Sequence, residues 1–353
     1  MSSSVDKSSG SQSPMLGQIV VYAGIAWAVL ALLFFLLFSI SVPGEDPPLW
    51  YRIGTYIFEE VAFLGGAILC FRNWQSPQIA SGRNVWLGIG LGMLSYFLGN
   101  LLFCWWELYW GLDPAVSLGD LFFVAFYLFL GWGMILAVLP RRLNLENKQW
   151  VIVGAIASVA IALAVWLSLA SPADSEETSV PPSKPPIAQV SPATQPKTTA
   201  PPKKAPTLKA TPKAGASAQT KPPASKPPAE TAPKNPPPGW VLSLEDNLKP
   251  LAKPVSFFYI ICDVVLLIIA ATLLLAFWGG RFSQSWRMIA AAAFSFYIAD
   301  MWFKYATDHI PDYQSGFILE VFWVFSGVLF AVGAALEYDT SIRSNRRGAR
   351  KRA

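Results

Sequence analysis

The sequence predicts an all-α integral membrane protein, with eight transmembrane helices as two parallel four-helix repeats joined by a long disordered linker rich in Pro and Lys. Three observations carry that expectation. Of 353 residues, 53% are hydrophobic and only 14% charged, a balance foreign to a water-soluble domain of this size. Eight stretches approach the roughly 20 apolar residues that a helix needs to cross a bilayer core. Residues 95–100, SYFLGN, return two hundred positions later as SFYIAD at 295–300.

Residues 1–17 are Ser-rich with a single Lys and read as a disordered cytoplasmic N-terminus, the first apolar helix serving as an uncleaved insertion signal. Expected spans lie near 18–42, 49–71, 85–107 and 117–139, within a first membrane unit over 18–142. A second unit comprises 150–170 and 254–338, with spans near 150–170, 254–278, 286–305 and 315–337. Pro47, Pro48 and Pro254 stand where a first-turn proline is tolerated, and Pro140 closes the fourth span.

Cationic residues alternate between loops. Arg72, Arg83, Arg141, Arg142, Lys148, Arg281 and Arg287 fall on one side, with a basic tail over 339–353. Glu45, Asp46, Glu107, Asp113, Asp308 and Asp312 fall on the other. The positive-inside rule then places both termini in the cytoplasm of a bacterial inner or internal membrane.

Residues 171–238 lack aromatic side chains and are dense in Pro, Lys, Ala and Thr. Such a segment cannot bury enough apolar surface to offset the entropy of ordering, so disorder with polyproline-II character is expected, on the non-cytoplasmic side. At about 3.1 Å per residue it extends to nearly ~200 Å, enough to touch an anionic cell-wall polymer or a distant partner. A plain solvated connector is the other reading.

The net charge of +5 resides in loops, linker and tail rather than in a folded basic module, which argues against nucleic acid. Cys70, Cys104 and Cys262 sit in apolar stretches without paired spacing, so no disulfide framework or thiolate metal site is indicated. With His309 the only histidine, a site of two imidazoles is excluded within one chain. No cofactor is identified.

Holding the offset at 200 pairs Trp86 with Trp286, Ser95 with Ser295, Phe103 with Phe303, Asn100 with Asp300 and Asp120 with Glu320. A slightly different register pairs Glu59 or Glu60 with Asp263. Carboxylates at bilayer depth are costly and face the bundle interior. Each repeat is therefore expected to hold an outward-opening polar triad: Glu59 or Glu60 with Asn100 and Asp120, then Asp263 with Asp300 and Glu320. These seven residues are the candidate ligand or ion site, or else polar glue between helices. Local roles compete: Asp120 as a helix cap after Ser117, Asp300 as a partner of Lys304, and Arg52 reaching toward Glu59 or Glu60. Gly88 and Gly92 read as a close-packing face, and CWWELYWG at 104–111 as an interfacial aromatic belt.

Residues 117–135, SLGDLFFVAFYLFLGWGMI, resemble one helix of the multi-helix membrane sensor regions that precede bacterial diguanylate cyclase and related signalling domains. Gly119 replaces the Ala of that pattern and Leu128 its proline. The resemblance implies sensing, with output through a membrane or cytoplasmic partner. No nucleophile with an adjacent base is visible, nor a clearly broken helix. The sequence thus predicts a non-enzymatic sensor, scaffold or assembly factor in contact with the lipid bilayer, with a cation- or proton-coupled transporter as the alternative.

Overall fold

The computed structural model describes residues 13–39, 47–112, 116–139, 146–170, 237–278, 283–310 and 313–352. Met1–Ala173 with Pro233–Ala353 form one unit, to which all described residues belong, and Asp174–Ala232 form another. The expected linker, apart from residues 237 and 238, lies outside the described residues. So do the first twelve residues and the loop charges at 45, 46, 113, 141, 142, 281 and 312.

Among the described residues the structure is helical without strands. Its helices are α1 (Ser13–Phe38), α2 (Leu49–Gln75), α3 (Arg83–Cys104), α4 (Asp120–Val138), α5 (Asn147–Ala170), α6 (Gly239–Leu248), α7 (Ala252–Ala276), α8 (Ser283–His309) and α9 (Val321–Arg352). A π-helical turn, Trp105–Tyr109, continues α3, and 3-10 turns precede α7 and α9.

Seven helical segments are long and apolar enough to cross a membrane, which makes the chain multi-pass. The eighth expected span is α8, as long as α2 at 27 residues but more polar. Its polar residues gather on one face, where Asp300, Lys304, Thr307 and Asp308 line an internal cavity. Average hydropathy sums both faces of a helix and so understates one whose polar side is turned inward.

Three boundaries differ from expectation. α1 begins at Ser13, because Pro14 is compatible with a first helical turn. The amphipathic α6 precedes α7, burying Val241 against Trp106 and Trp110. α9 runs through the expected tail to Arg352, a stretch with no proline, rich in arginine and favoured at a helix C-terminus.

α2 packs on α3 and α9, α3 on α4, α8 on α7 and α9, and α1 on α9, while α4 also touches α7. The main core unites Trp86, Ile89, Met93, Phe126 and Leu130 with Leu266, Trp286, Ile289, Phe296 and Phe330. Along the line between α3 and α8, rings two hundred positions apart meet: Trp86 and Trp286 at 6.3 Å, Tyr96 and Phe296 at 5.6 Å, Phe103 and Phe303 at 6.3 Å.

Small residues let α3 and α4 touch at the backbone. A Cβ on Gly88 would lie 2.6 Å from the Gly133 Cα, and one on Gly119 would lie 2.5 Å from the Gly99 carbonyl oxygen. At Gly92 the neighbour is the Leu130 backbone, at 3.2 Å. The same contact recurs in the second half, where Gly333 faces Ile289 and Ser285, as Gly133 faces Ile89 and Val85. Gly133→Leu should therefore force α3 from α4 at a cost of about 1–3 kcal/mol or more. Gly65→Leu, at a position with open space around it, should melt like the wild type in detergent-solubilised thermal denaturation. Equal melting of the two variants would remove this role from the seam.

Candidate functional site

Six helices bring their ends together on one side of the bundle, α2, α4, α7 and α9 by their N-termini and α3 and α8 by their C-termini. They enclose a cavity of about 250 Å³. Helical spacing accounts for its lining: Thr55, Tyr56 and Glu59 share a face of α2, as do Ser256, Tyr259, Ile260 and Asp263 on α7 and Asp300, Phe303, Lys304 and Thr307 on α8. Six carboxylates reach it, from Glu59, Asp120, Asp263, Asp300, Asp308 and Glu320, with two lysines, Lys253 and Lys304. The exposed Lys253 marks its mouth. Asp263, 2% exposed, lies toward its floor.

Where the sequence suggests an acidic pocket in each repeat, both sets of acids line this one cavity. Their bonds cross between the halves. Asn100 Nδ2 donates to Glu59 Oε2 at 3.1 Å, as expected within the first set. Asp120, however, accepts from the Tyr259 hydroxyl of α7 at 2.5 Å. Tyr127 of α4 lies between the two acids of the other half, 2.7 Å from Asp263 Oδ1 and 2.5 Å from Asp300 Oδ2. Trp323 Nε1 donates to the second oxygen of Asp300, also at 2.5 Å.

Asp120 keeps its capping role as well, since its Oδ2 accepts from the Ser117 backbone N–H at 2.6 Å, the returning half of a capping box. Glu320 behaves in parallel. Its Oε2 accepts from the Gly316 N–H at 2.6 Å and its Oε1 from the Tyr313 hydroxyl. Burial and the adjacent Glu320 raise the Tyr313 pKa above that of an ordinary tyrosine, so it remains a donor at neutral pH. Gly316 holds φ near +125°, and a Cβ there would press on the Tyr51 ring at 2.9 Å. Tyr51 in turn donates its hydroxyl to the Gly316 carbonyl.

Two expected pairings are corrected. Arg52 does not turn to Glu59 or Glu60 but binds Glu107 at 3.1 Å. Glu107, expected as a loop charge, is 5% exposed and also accepts from Tyr56 and from the Ser315 N–H. Helical spacing accounts for this, because Glu107 stands four residues after Phe103 and seven after Asn100, on the face of α3 that lines the cavity. Lys304 pairs with Asp308 at 2.7 Å, leaving Asp300 to Tyr127 and Trp323. The CWWELYWG stretch divides: Trp106 and Trp110 are buried beneath α6, and Trp105 and Tyr109 are exposed.

Glu60 lies off the cavity, and among the described residues neither of its buried carboxylate oxygens meets hydrogen-bond geometry with a donor. Glu59, in the cavity wall as Asp263 is, therefore matches Asp263 better. The residues missed by sequence reasoning are the tyrosines and Glu107. One signal was available: Tyr56, Tyr96 and Tyr259 stand three or four positions before Glu59, Asn100 and Asp263, hence on the same helix face. Within the described residues, no group of three or more His, Cys, Asp or Glu side chains is placed to hold a metal ion. No protein-family model, curated protein or solved structure matches the chain.

Arg52→Ala would leave Glu107 buried without its cation and should destabilise the fold by about 3–5 kcal/mol. Adding Glu107→Gln should recover a large part of that loss. Equal melting of the single and double variants would dismiss the ion pair as a support of the cavity.

Proposed function

We propose that the chain is a non-enzymatic multi-pass membrane protein that binds a small ligand in this cavity and acts as a sensor, scaffold or assembly factor. One observation carries the reading: the acid-lined cavity has a mouth at one end of the bundle and a floor of packed aromatic rings. Phe63 stacks on Tyr96 at 3.7 Å, and Phe126 meets Phe296 at 4.7 Å. Beneath them lie Met93, Ile89, Trp86 and Trp286, all fully buried. A site closed on one side suits recognition. A carrier would have to dismantle this layer in every cycle, which disfavours the transporter alternative.

The cavity and the basic loops lie at opposite helix ends, with Arg72, Arg83, Lys148 and Arg287 remote from its mouth. Under the positive-inside rule the mouth opens outside and both termini lie in the cytoplasm. The ring pairs between α3 and α8 and the matched glycine contacts support two copies of a four-helix unit about a pseudo-two-fold axis along the membrane normal. An anionic cell-wall polymer is the partner proposed for the Pro/Lys-rich segment. The single-helix likeness to sensor regions agrees with recognition outside and output through a partner inside.

Native mass spectrometry of the protein in nanodiscs tests the proposal. A small molecule should co-purify with the wild type and be lost when Met301→Trp or the milder Ile260→Phe fills the cavity without changing the melting profile. Proton or cation flux into vesicles that Asp263→Asn abolishes would overturn it in favour of a carrier.

A further inference from the structure

The floor of the cavity carries a hydrogen-bonding imbalance. Tyr127 has one hydroxyl hydrogen and two carboxylates within hydrogen-bond distance. It donates to one only; the other contact needs a further hydrogen, held by a protonated carboxyl, or a cation seated against both acids. Among the described residues no donor reaches Asp263 Oδ2, in a side chain 2% exposed and lining the cavity. A buried carboxylate oxygen without a donor is costly, so an occupant that donates there is favoured.

The surroundings narrow its chemistry. Lys304 pairs with Asp308, and carboxylates outnumber lysines six to two in the lining. That excess selects a cation over a sugar or an anion. A hard metal ion takes six or more oxygens, or several carboxylates in one cluster, and no such cluster exists among the described residues. The cavity lining also holds the aromatic rings of Tyr96, Phe126, Tyr127, Phe296 and Trp323, beside Ile260 and Met301. Carboxylate plus aromatic rings is the environment that recognises an ammonium head group. A volume of about 250 Å³ admits only a small one.

Resting on the proposed binding role of the cavity, we infer that its floor is a site for a small organic cation, an amine or quaternary ammonium, held by Asp263 and Asp300 and displacing a proton shared by that pair. The displaced proton leaves to solvent through the mouth. The titratable groups that line the cavity with the pair are Tyr56 and Glu59 from α2, Tyr96 from α3, Asp120 and Tyr127 from α4, Lys253 and Tyr259 from α7, Lys304 and Asp308 from α8, and Glu320 ahead of α9; the competition lies between the proton on the pair and the incoming cation.

The test compares choline, n-butylammonium and 3,3-dimethyl-1-butanol, the uncharged isostere of choline, by thermal shift and calorimetry on the full chain in nanodiscs. At least one of the two cations should bind saturably and the alcohol should not. Affinity should rise with pH by up to about tenfold per unit while the proton competes. Asp263→Asn and Asp300→Asn should each weaken binding about tenfold or more. Should either variant fail to fold, the wild-type pH dependence and the proton release seen in buffers of different ionisation heat decide the matter. Equal binding of the alcohol, binding of Ca²⁺ but of neither ammonium, or saturable binding of none of the three probes would overturn the inference. A neutral occupant found by native mass spectrometry would overturn it too, while leaving the binding role of the cavity intact.

Discussion

A carboxylate buried among transmembrane helices cannot turn to water, so its hydrogen-bond donors must come from the bundle itself, and that requirement organises this protein. Four tyrosines meet it. Tyr56 serves Glu107, Tyr127 serves Asp263 and Asp300, Tyr259 serves Asp120, and Tyr313 serves Glu320. Three of these links join different helices. They tie α2 to the end of α3, α4 to α7 and α8, and α7 back to α4. Apolar packing against lipid has little directional preference. The tyrosine–acid bonds do, and they fix which helix ends converge.

Close backbone approach makes these bonds attainable. Gly88 against Gly133 and Gly99 against Gly119 bring α3 and α4 together along their length. Ser117 and Asp120 then start α4 at a fixed height, with one Asp120 oxygen held by the backbone and the other turned to Tyr259. Asp120 is thus both helix cap and cavity wall, because a carboxylate has two oxygens and each found a different donor. Glu320 divides its oxygens in the same way, with one more methylene and a backbone donor one residue farther back.

The membrane-spanning helices were legible because length and apolarity are local properties. The acids were legible because a charge in an apolar run stands out. Even α8 could be recognised despite its polar face, since Ile289, Ala292, Ala293 and Phe296 keep the apolar stripe continuous. What remained hidden depended on register between distant helices. A tyrosine in an aromatic-rich span reads as packing until its hydroxyl meets an acid on another helix. Glu107 read as a loop charge because it stands at the last position of the expected span, although Asn100 and Phe103 share its helix face. The exchange of partners between the two halves was equally invisible, since each acid had an acceptable neighbour on its own helix or in its own half.

α9 begins one residue after Glu320 and continues without a break for 32 residues to Arg352. At about 1.5 Å per residue it is a rod of roughly 48 Å, longer than the hydrocarbon layer is thick. Its near end is gripped through Tyr313 and Gly316, and its middle is held at Gly327 and Gly333 by contacts with α2 and α8. Packing continues to Tyr338, whose ring lies beneath the Arg72 guanidinium, and to Ser341, which accepts from the Ala80 N–H. One unbroken element thus joins the cavity wall to the opposite end of the bundle.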